Sequence, residues 1–242
     1  MKKHYIPILM YHSIETKPKG SILRSLSVPP KLFNSQMRIL NFLGYKGLSM
    51  SALKPYLEGK KTGKVFGITF DDGYQNILLN ALPILKKYNF SATTYIVSDL
   101  IGNYNLWDEE IGIDKMKLMN IEEIHSWLRS GMEIGSHSMT HGNLTKLDTA
   151  QARKEISYSK NKLEKIFSVQ VNHFCYPYGK FNDMSSENVE ISGYHTATTV
   201  RRGRAEPTMD IFKLPRIFVT HRTYMYQLLL KFFTNYENSR NR

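Results

Sequence analysis

The sequence predicts a single parallel α/β domain, and three observations lead there. Short β-rich runs alternate with helical stretches over most of the chain, the pattern of strands joined by crossover helices. At 242 residues the chain is long enough to bury one large α/β core. Its 41% hydrophobic and 22% charged residues are ordinary globular values, and no repeat, low-complexity tract or linker divides it.

Taken in order, the expected strands are Ile8 to His12, Val65 to Phe70, Ala92 to Val97, Glu133 to Ser136, His173 to Tyr176, Thr196 to Val200 and Pro215 to Val219. Pro30 opens a helix whose Phe33, Met37 and Leu40 share one face and whose stop is Gly44. Pro83 interrupts the helical reading of Tyr74 to Tyr88, so the helix kinks there or a new one begins. Asn120 with Glu123 makes a capping-box start that ends at Gly131, and Asp148 with Gln151 starts a long helix carrying Ile156, Leu163 and Phe167. The segment Thr223 to Tyr236 is apolar, aromatic and basic, which suits a helix packed on the core or one touching a membrane.

Charge and cysteine usage narrow the partners. The balance of 33 Lys+Arg against 21 Asp+Glu gives +12, which favours anionic partners such as phospholipid headgroups or lipid-linked sugar phosphates. No RNA- or DNA-binding motif accompanies it, so nucleic acid is not expected. Cys175 stands alone, which rules out an intramolecular disulfide. The apolar run at Ile6 to Met10 is too short for a signal segment and reads as strand, and no run approaches the roughly 20 apolar residues that span a bilayer. The expectation is a cytoplasmic protein whose basic surface can contact the inner membrane face.

The chemistry concentrates at strand ends. The run Ile68-Thr69-Phe70 stops at Asp71-Asp72-Gly73, which alone reads as a turn. In parallel α/β folds, however, ligands gather at the carboxyl ends of strands, where this pair sits. Another strand ends in His137-Ser138-Met139-Thr140-His141, two histidines whose spacing can aim both imidazoles at one point from a helical turn or a tight loop. Joined to one carboxylate they form a two-His-one-carboxylate set that leaves coordination positions open for water and substrate. The second aspartate is then free to accept a proton. A carboxylate with a pKa of about 3.9 is a poor base for free water, and metal coordination, which lowers the water pKa from about 15.7 toward roughly 7, closes much of that gap.

Thr69-Phe70-Asp71-Asp72-Gly73 and His137-Ser138-Met139-Thr140-His141 together resemble the first two motifs of the NodB-type polysaccharide deacetylases, carbohydrate esterases with a distorted (β/α) barrel of mainly parallel strands. The resemblance runs from about Ile6 to Val219. It implies that Asp71 is the general base and that Asp72, His137 and His141 bind a divalent metal, zinc in most members, with cobalt or nickel as alternatives. The third motif reads Cys175-Tyr176-Pro177-Tyr178-Gly179 here. Pro177 and Tyr178 match on the substrate side, and the Tyr178 backbone N–H is implied as an oxyanion donor. The family's arginine, which orients the catalytic aspartate, is replaced by Cys175. Arg216, in Leu214-Pro215-Arg216-Ile217, is expected to take over the pairing with Asp71; the opposing reading is a surface arginine beside an edge strand.

Ile8-Leu9-Met10-Tyr11-His12 fits the family's final motif, which sits at the N-terminus in the subgroup acting on poly-β-1,6-N-acetylglucosamine. A closed barrel tolerates that permutation because its first and last strands are neighbours. His12 is thereby implied as the general acid, a role suited to an imidazole of pKa near 6.5. Trp107 reads either as an aromatic wall for the acetyl group or sugar, or as plain packing, and Cys175 as a small buried residue. The function implied is metal-dependent N-deacetylation of an N-acetylhexosamine-containing saccharide, an envelope polysaccharide or its lipid-linked precursor. A catalytically impaired saccharide-binding protein and a hydrolase of another amide are the alternatives. Residues 1–222 form the expected catalytic domain and 223–242 a C-terminal helix and basic tail.

Overall fold

The computed structural model describes residues 5–111 and 114–240. Its strands are β1 (Ile8–Tyr11), β2 (Lys46–Leu48), β3 (Val65–Phe70), β4 (Thr93–Ile96), β5 (Glu133–Ser136), β6 (His173–Cys175), β7 (Thr196–Arg202) and β8 (Leu214–Phe218). All ladders between them are parallel, and the pairing of β1 with both β8 and β3 closes β1, β3, β4, β5, β6, β7 and β8 into a seven-stranded barrel. The first and last strands are therefore neighbours. β2 lies outside the ring, paired with the first half of β3 through Gly47 and Phe66, while β4 takes the second half from Thr69. This sharing of one strand edge distorts the barrel.

Among the described residues seven α-helices surround it: α1 (Pro30–Phe42), α2 (Met50–Leu57), α3 (Leu82–Lys87), α4 (Ile121–Arg129), α5 (Thr149–Phe167), α6 (Asp183–Ile191) and α7 (Met225–Phe233). The expected capping boxes form at Asn120 with Glu123 and at Asp148 with Gln151, each satisfying two otherwise orphaned N–H groups. At Pro83 a π turn over Ile77–Ala81 passes into α3, where the proline occupies the first turn and loses no helical hydrogen bond. β2, α2 and α6 escape the sequence reading. β2 has three residues, α2 contains Pro55, and α6 mixes polar with apolar residues on its buried face, so none carries a clear period.

Alternation along each strand sorts the core into two. Leu9, Tyr11, Phe66, Ile68, Phe70, Phe174 and Ile217 face the helices, packing against Phe33, Met37, Trp127 and Ile156. The opposite parity faces the barrel axis, where Ile8, Tyr95, Cys175 and Leu214 fill the lower end. Continuing the inward parity upward on β3, β5, β1 and β8 brings Asp71, His137, His12 and Arg216 to the upper half of the interior. In the C-terminal helix, Leu228 and Phe232 are buried in the main core, with the Phe232 ring edge-on to Phe66 and Tyr45. No described helix is long and apolar enough to cross a membrane.

Candidate active site

The carboxyl ends of the strands open into a cavity of about 270 Å³, lined among others by His12, Asp71, Asp72, Trp107, His137, His141 and Tyr178. His12, Asp71, Asp72 and His137 directly follow strands, and the others come from the loops beyond strand ends, as expected for a parallel barrel.

Asp71 follows the last residue of β3 and keeps the inward parity, and its N–H is held by the Tyr11 carbonyl at 2.9 Å. Asp72 adopts φ +72, a left-handed conformation uncommon for a residue with a side chain, so the adjacent carboxylates diverge. Gly73 continues the turn at φ +73, a left-handed conformation that a residue with a side chain adopts only with strain.

His137 and His141 do not lie on a helix: Ser138 (φ +65) and His141 (φ +65) shape a tight loop after β5. The two rings meet at 78° with centroids 4.7 Å apart. Both Nε2 atoms stand 3.4 Å from Asp72 Oδ1, and the three donor atoms converge on one point. The set fits a divalent cation. His137 Nδ1 lies 2.7 Å from the Cys175 carbonyl, so it carries the proton and donates it, leaving the Nε2 lone pair aimed at the cluster. Burial alone would raise the Asp72 carboxyl, but the facing imidazoles of His137 and His141 hold it well below its ordinary value, so it is an anion.

Asp71 occupies a different environment. Arg216, fully buried, donates from Nη1 to Oδ1 and from Nη2 to Oδ2, both at 2.7 Å. Its Nε donates to the Thr199 carbonyl at 2.9 Å, Nη1 also reaches Thr69 Oγ1 at 3.0 Å, and Nη2 lies 3.2 Å from Cys175 Sγ. This is no surface arginine beside an edge strand, because closure of the barrel places β8 between β7 and β1. Burial pushes the Asp71 carboxyl up, and the Arg216 charge and hydrogen bonds outweigh it, so Asp71 sits below its ordinary value. His12 Nε2 stands 3.8 Å from Asp71 Oδ2, with the imidazole at the cavity edge.

Trp107 stacks on His141 with centroids 4.3 Å apart and rings 25° from parallel, so it fixes that imidazole and also lines the cavity. Tyr178 takes φ +58, and its ring meets that of His141 edge-on at 4.6 Å. Pro177 is buried and begins this turn, and Gly179 (φ +64) packs so closely on Val200 that a Cβ would lie 2.3 Å from its side chain. Asp108, next to Trp107, lines the same cavity and accepts from Asn105 Nδ2 at 3.2 Å. Burial raises its pKa against that hydrogen bond. The sequence reading gave Asp108 no role; its neighbour Trp107 was the available signal.

A parallel barrel with an aspartate and two histidines converging at its mouth, beside a second and separately held aspartate, is the architecture of a hydrolase. The chain belongs to the polysaccharide deacetylase family, whose model matches residues 58–197. It is a hydrolase of that family, which is generally metal-dependent. A poly-beta-1,6-N-acetyl-D-glucosamine N-deacetylase of Staphylococcus epidermidis is 30% identical over 203 residues, covering 82% of this chain and 70% of the relative. Among solved structures, the Streptococcus pyogenes deacetylase PplD in complex with acetate matches with a TM-score of 0.84 and 26% identity over 96% of this chain and 100% of that one. The polysaccharide deacetylase BC0361 of Bacillus cereus matches with a TM-score of 0.80 and 27% identity, over 95% and 69% respectively.

Proposed function

We propose that this polysaccharide deacetylase removes acetyl from an N-acetylhexosamine residue of an envelope glycan, with Asp71 as general base and His12 as general acid. The observation that carries the reading is the separation of the two adjacent aspartates. Asp72 faces two imidazole nitrogens, whereas Asp71 is gripped by Arg216 and faces His12.

Asp72, His137 and His141 hold a divalent cation, zinc in our reading, with cobalt or nickel able to substitute. Bound there, it supplies Lewis acidity that polarises the acetamide carbonyl and makes water a competent nucleophile near neutral pH. Asp71 accepts the proton of the attacking water, and Arg216 keeps its carboxylate ionised and in one orientation. The Tyr178 backbone N–H donates to the oxyanion that develops on the carbonyl oxygen. His12 passes a proton to the nitrogen as the C–N bond breaks, giving acetate and a free amine. Trp107, Pro177 and Tyr178 shape the wall against which acetyl group and sugar rest.

The relative acting on poly-β-1,6-N-acetylglucosamine and the formal charge of +12 support a negatively charged envelope as the working environment, with the basic surface in peripheral contact with the inner membrane face. We assign residues 1–222 to the catalytic domain and 223–242 to a C-terminal helix and tail docked on it. The test is acetate release from N-acetylhexosamine oligosaccharides by the zinc- or cobalt-loaded protein, with Asp71→Asn as control. Saccharide binding with no acetate released under any metal would point to a binding protein instead.

A further inference from the structure

A second, smaller cavity of about 90 Å³ adjoins the first. Glu15 and Lys17 from the segment after β1, Arg24 and Ser27 from the segment before α1, and His221 and Tyr224 from the segment after β8 line it. It shares a wall with the active site. Ser13 and Ser27 pair as a short parallel bridge, Ser13 N–H donating to the Leu26 carbonyl at 3.3 Å, and Leu26 lines the active-site cavity on the other side. His12 opens on one side of this ribbon and Glu15 on the other.

The lining is unbalanced in charge. Lys17 and Glu15 neutralise one another at 3.2 Å, and Glu15 also accepts from Ser13 Oγ at 3.1 Å. Arg24 is half-buried, and among the described residues neither it nor Arg222, whose charge also reaches His221, enters an ion pair. His221 Nδ1 is buried and has no hydrogen-bond partner. A guanidinium without a counter-ion beside an imidazole nitrogen without a partner is an arrangement that an anion would complete. Arg24 supplies N–H donors, His221 supplies another once protonated at Nδ1, the one carboxylate of the lining is already occupied, and the volume admits one small oxyanion.

We propose that this cavity is a subsite for an oxyanion, a phosphate or a carboxylate, borne by the saccharide next to the sugar being deacetylated, with Arg24 and His221 as its ligands. The adjoining position makes it a selector of substrate, and in that sense it rests on the deacetylase reading. A free neighbouring glucosamine, which is cationic, would be disfavoured there.

Calorimetry with three matched oligosaccharides tests this: a neutral N-acetylhexosamine oligomer, the same oligomer with a phosphate on the neighbouring sugar, and the same with a carboxylate. At low salt, at least one charged oligomer binds roughly tenfold more tightly than the neutral one, as a charge-assisted bidentate contact gives. Arg24→Gln and His221→Gln, verified by thermal melting to be folded, reduce that ratio to about one. Equal binding of all three, or a preference that survives in both variants, overturns the subsite. Acetate release is read separately: release without charge preference overturns the subsite alone, and preference without release keeps the subsite and counts against the activity.

Discussion

Arg216 and Asp71, 145 residues apart in sequence, form a two-pronged ion pair in the barrel interior with both hydrogen bonds at 2.7 Å. Nothing else in the described structure neutralises Asp71 so closely, and Arg216 is wholly shielded from water. Removing one partner of such a pair leaves an uncompensated buried charge, at a cost of roughly 3–5 kcal/mol. Arg216→Ala should therefore lose that much stability in urea unfolding, and turnover should fall by about 100-fold as Asp71 loses its orientation and its depressed pKa. Arg216→Lys keeps the charge without the planar fork and should fall between. Unimpaired turnover in Arg216→Ala would remove Arg216 from the mechanism.

The contact between Arg216 Nη2 and Cys175 Sγ, 3.2 Å, suggests a more demanding experiment. Both side chains reach Asp71 from neighbouring regions of the interior, and by its motif resemblance Cys175 stands where an arginine is expected. Cys175→Arg alone should destabilise, because a second guanidinium enters a closed space beside the first. Combined with Arg216→Ala it should regain part of the lost turnover, giving a positive coupling in a double-mutant cycle. Additive losses would mean that the two positions cannot exchange the arginine.

Much of this was legible in the sequence because strand alternation and strand-end position are local signals. Asp71 and His12 each end a recognisable apolar run, and His137 ends a short expected strand, so placement marked all three. Arg216 could be named from its strand, but its burial follows from the contact of β1 with β8, which only the closed ring supplies. The loop form of the two histidines was not decided by spacing, since a helical turn offers the same separation; positive φ at Ser138 and His141 settles it. Asp108 and the oxyanion cavity are assembled from segments with no period of their own, so their residues carry no pattern until the barrel brings them together.

Asp71→Asn and Asp72→Asn should differ in metal content. Asp72 Oδ1 lies 3.4 Å from both imidazole nitrogens, whereas Asp71 is bound to Arg216. Replacing Asp72 removes the anionic donor of the set and should lower zinc affinity by 10-fold or more, while Asp71→Asn should retain its metal and lose turnover. Metal analysis after dialysis against a graded chelator decides between them, and equal loss from both variants contradicts the division of roles.

A pH effect is expected at the opposite end of the barrel. His173, at the start of β6, is buried, with Nδ1 2.8 Å from Thr196 Oγ1 and Nε2 2.9 Å from Ser51 Oγ. Burial lowers its pKa to about 4, Glu133 opposing this and His195, Lys54 and Lys160 reinforcing it. The native state thus keeps His173 neutral down to about 4, while the unfolded chain takes up a proton near 6.5. Between those values the unfolded state binds more protons, so stability falls as pH drops from 6.5 toward 4 and this contribution levels off below. The ceiling for this group is roughly 3 kcal/mol, from about 1.4 kcal/mol per pH unit. His173→Gln, which can still bond both hydroxyls but does not titrate, should lose one proton's worth of that slope. Urea midpoints for the two proteins should converge between pH 6.5 and 4; parallel curves would show that His173 is not the group that charges.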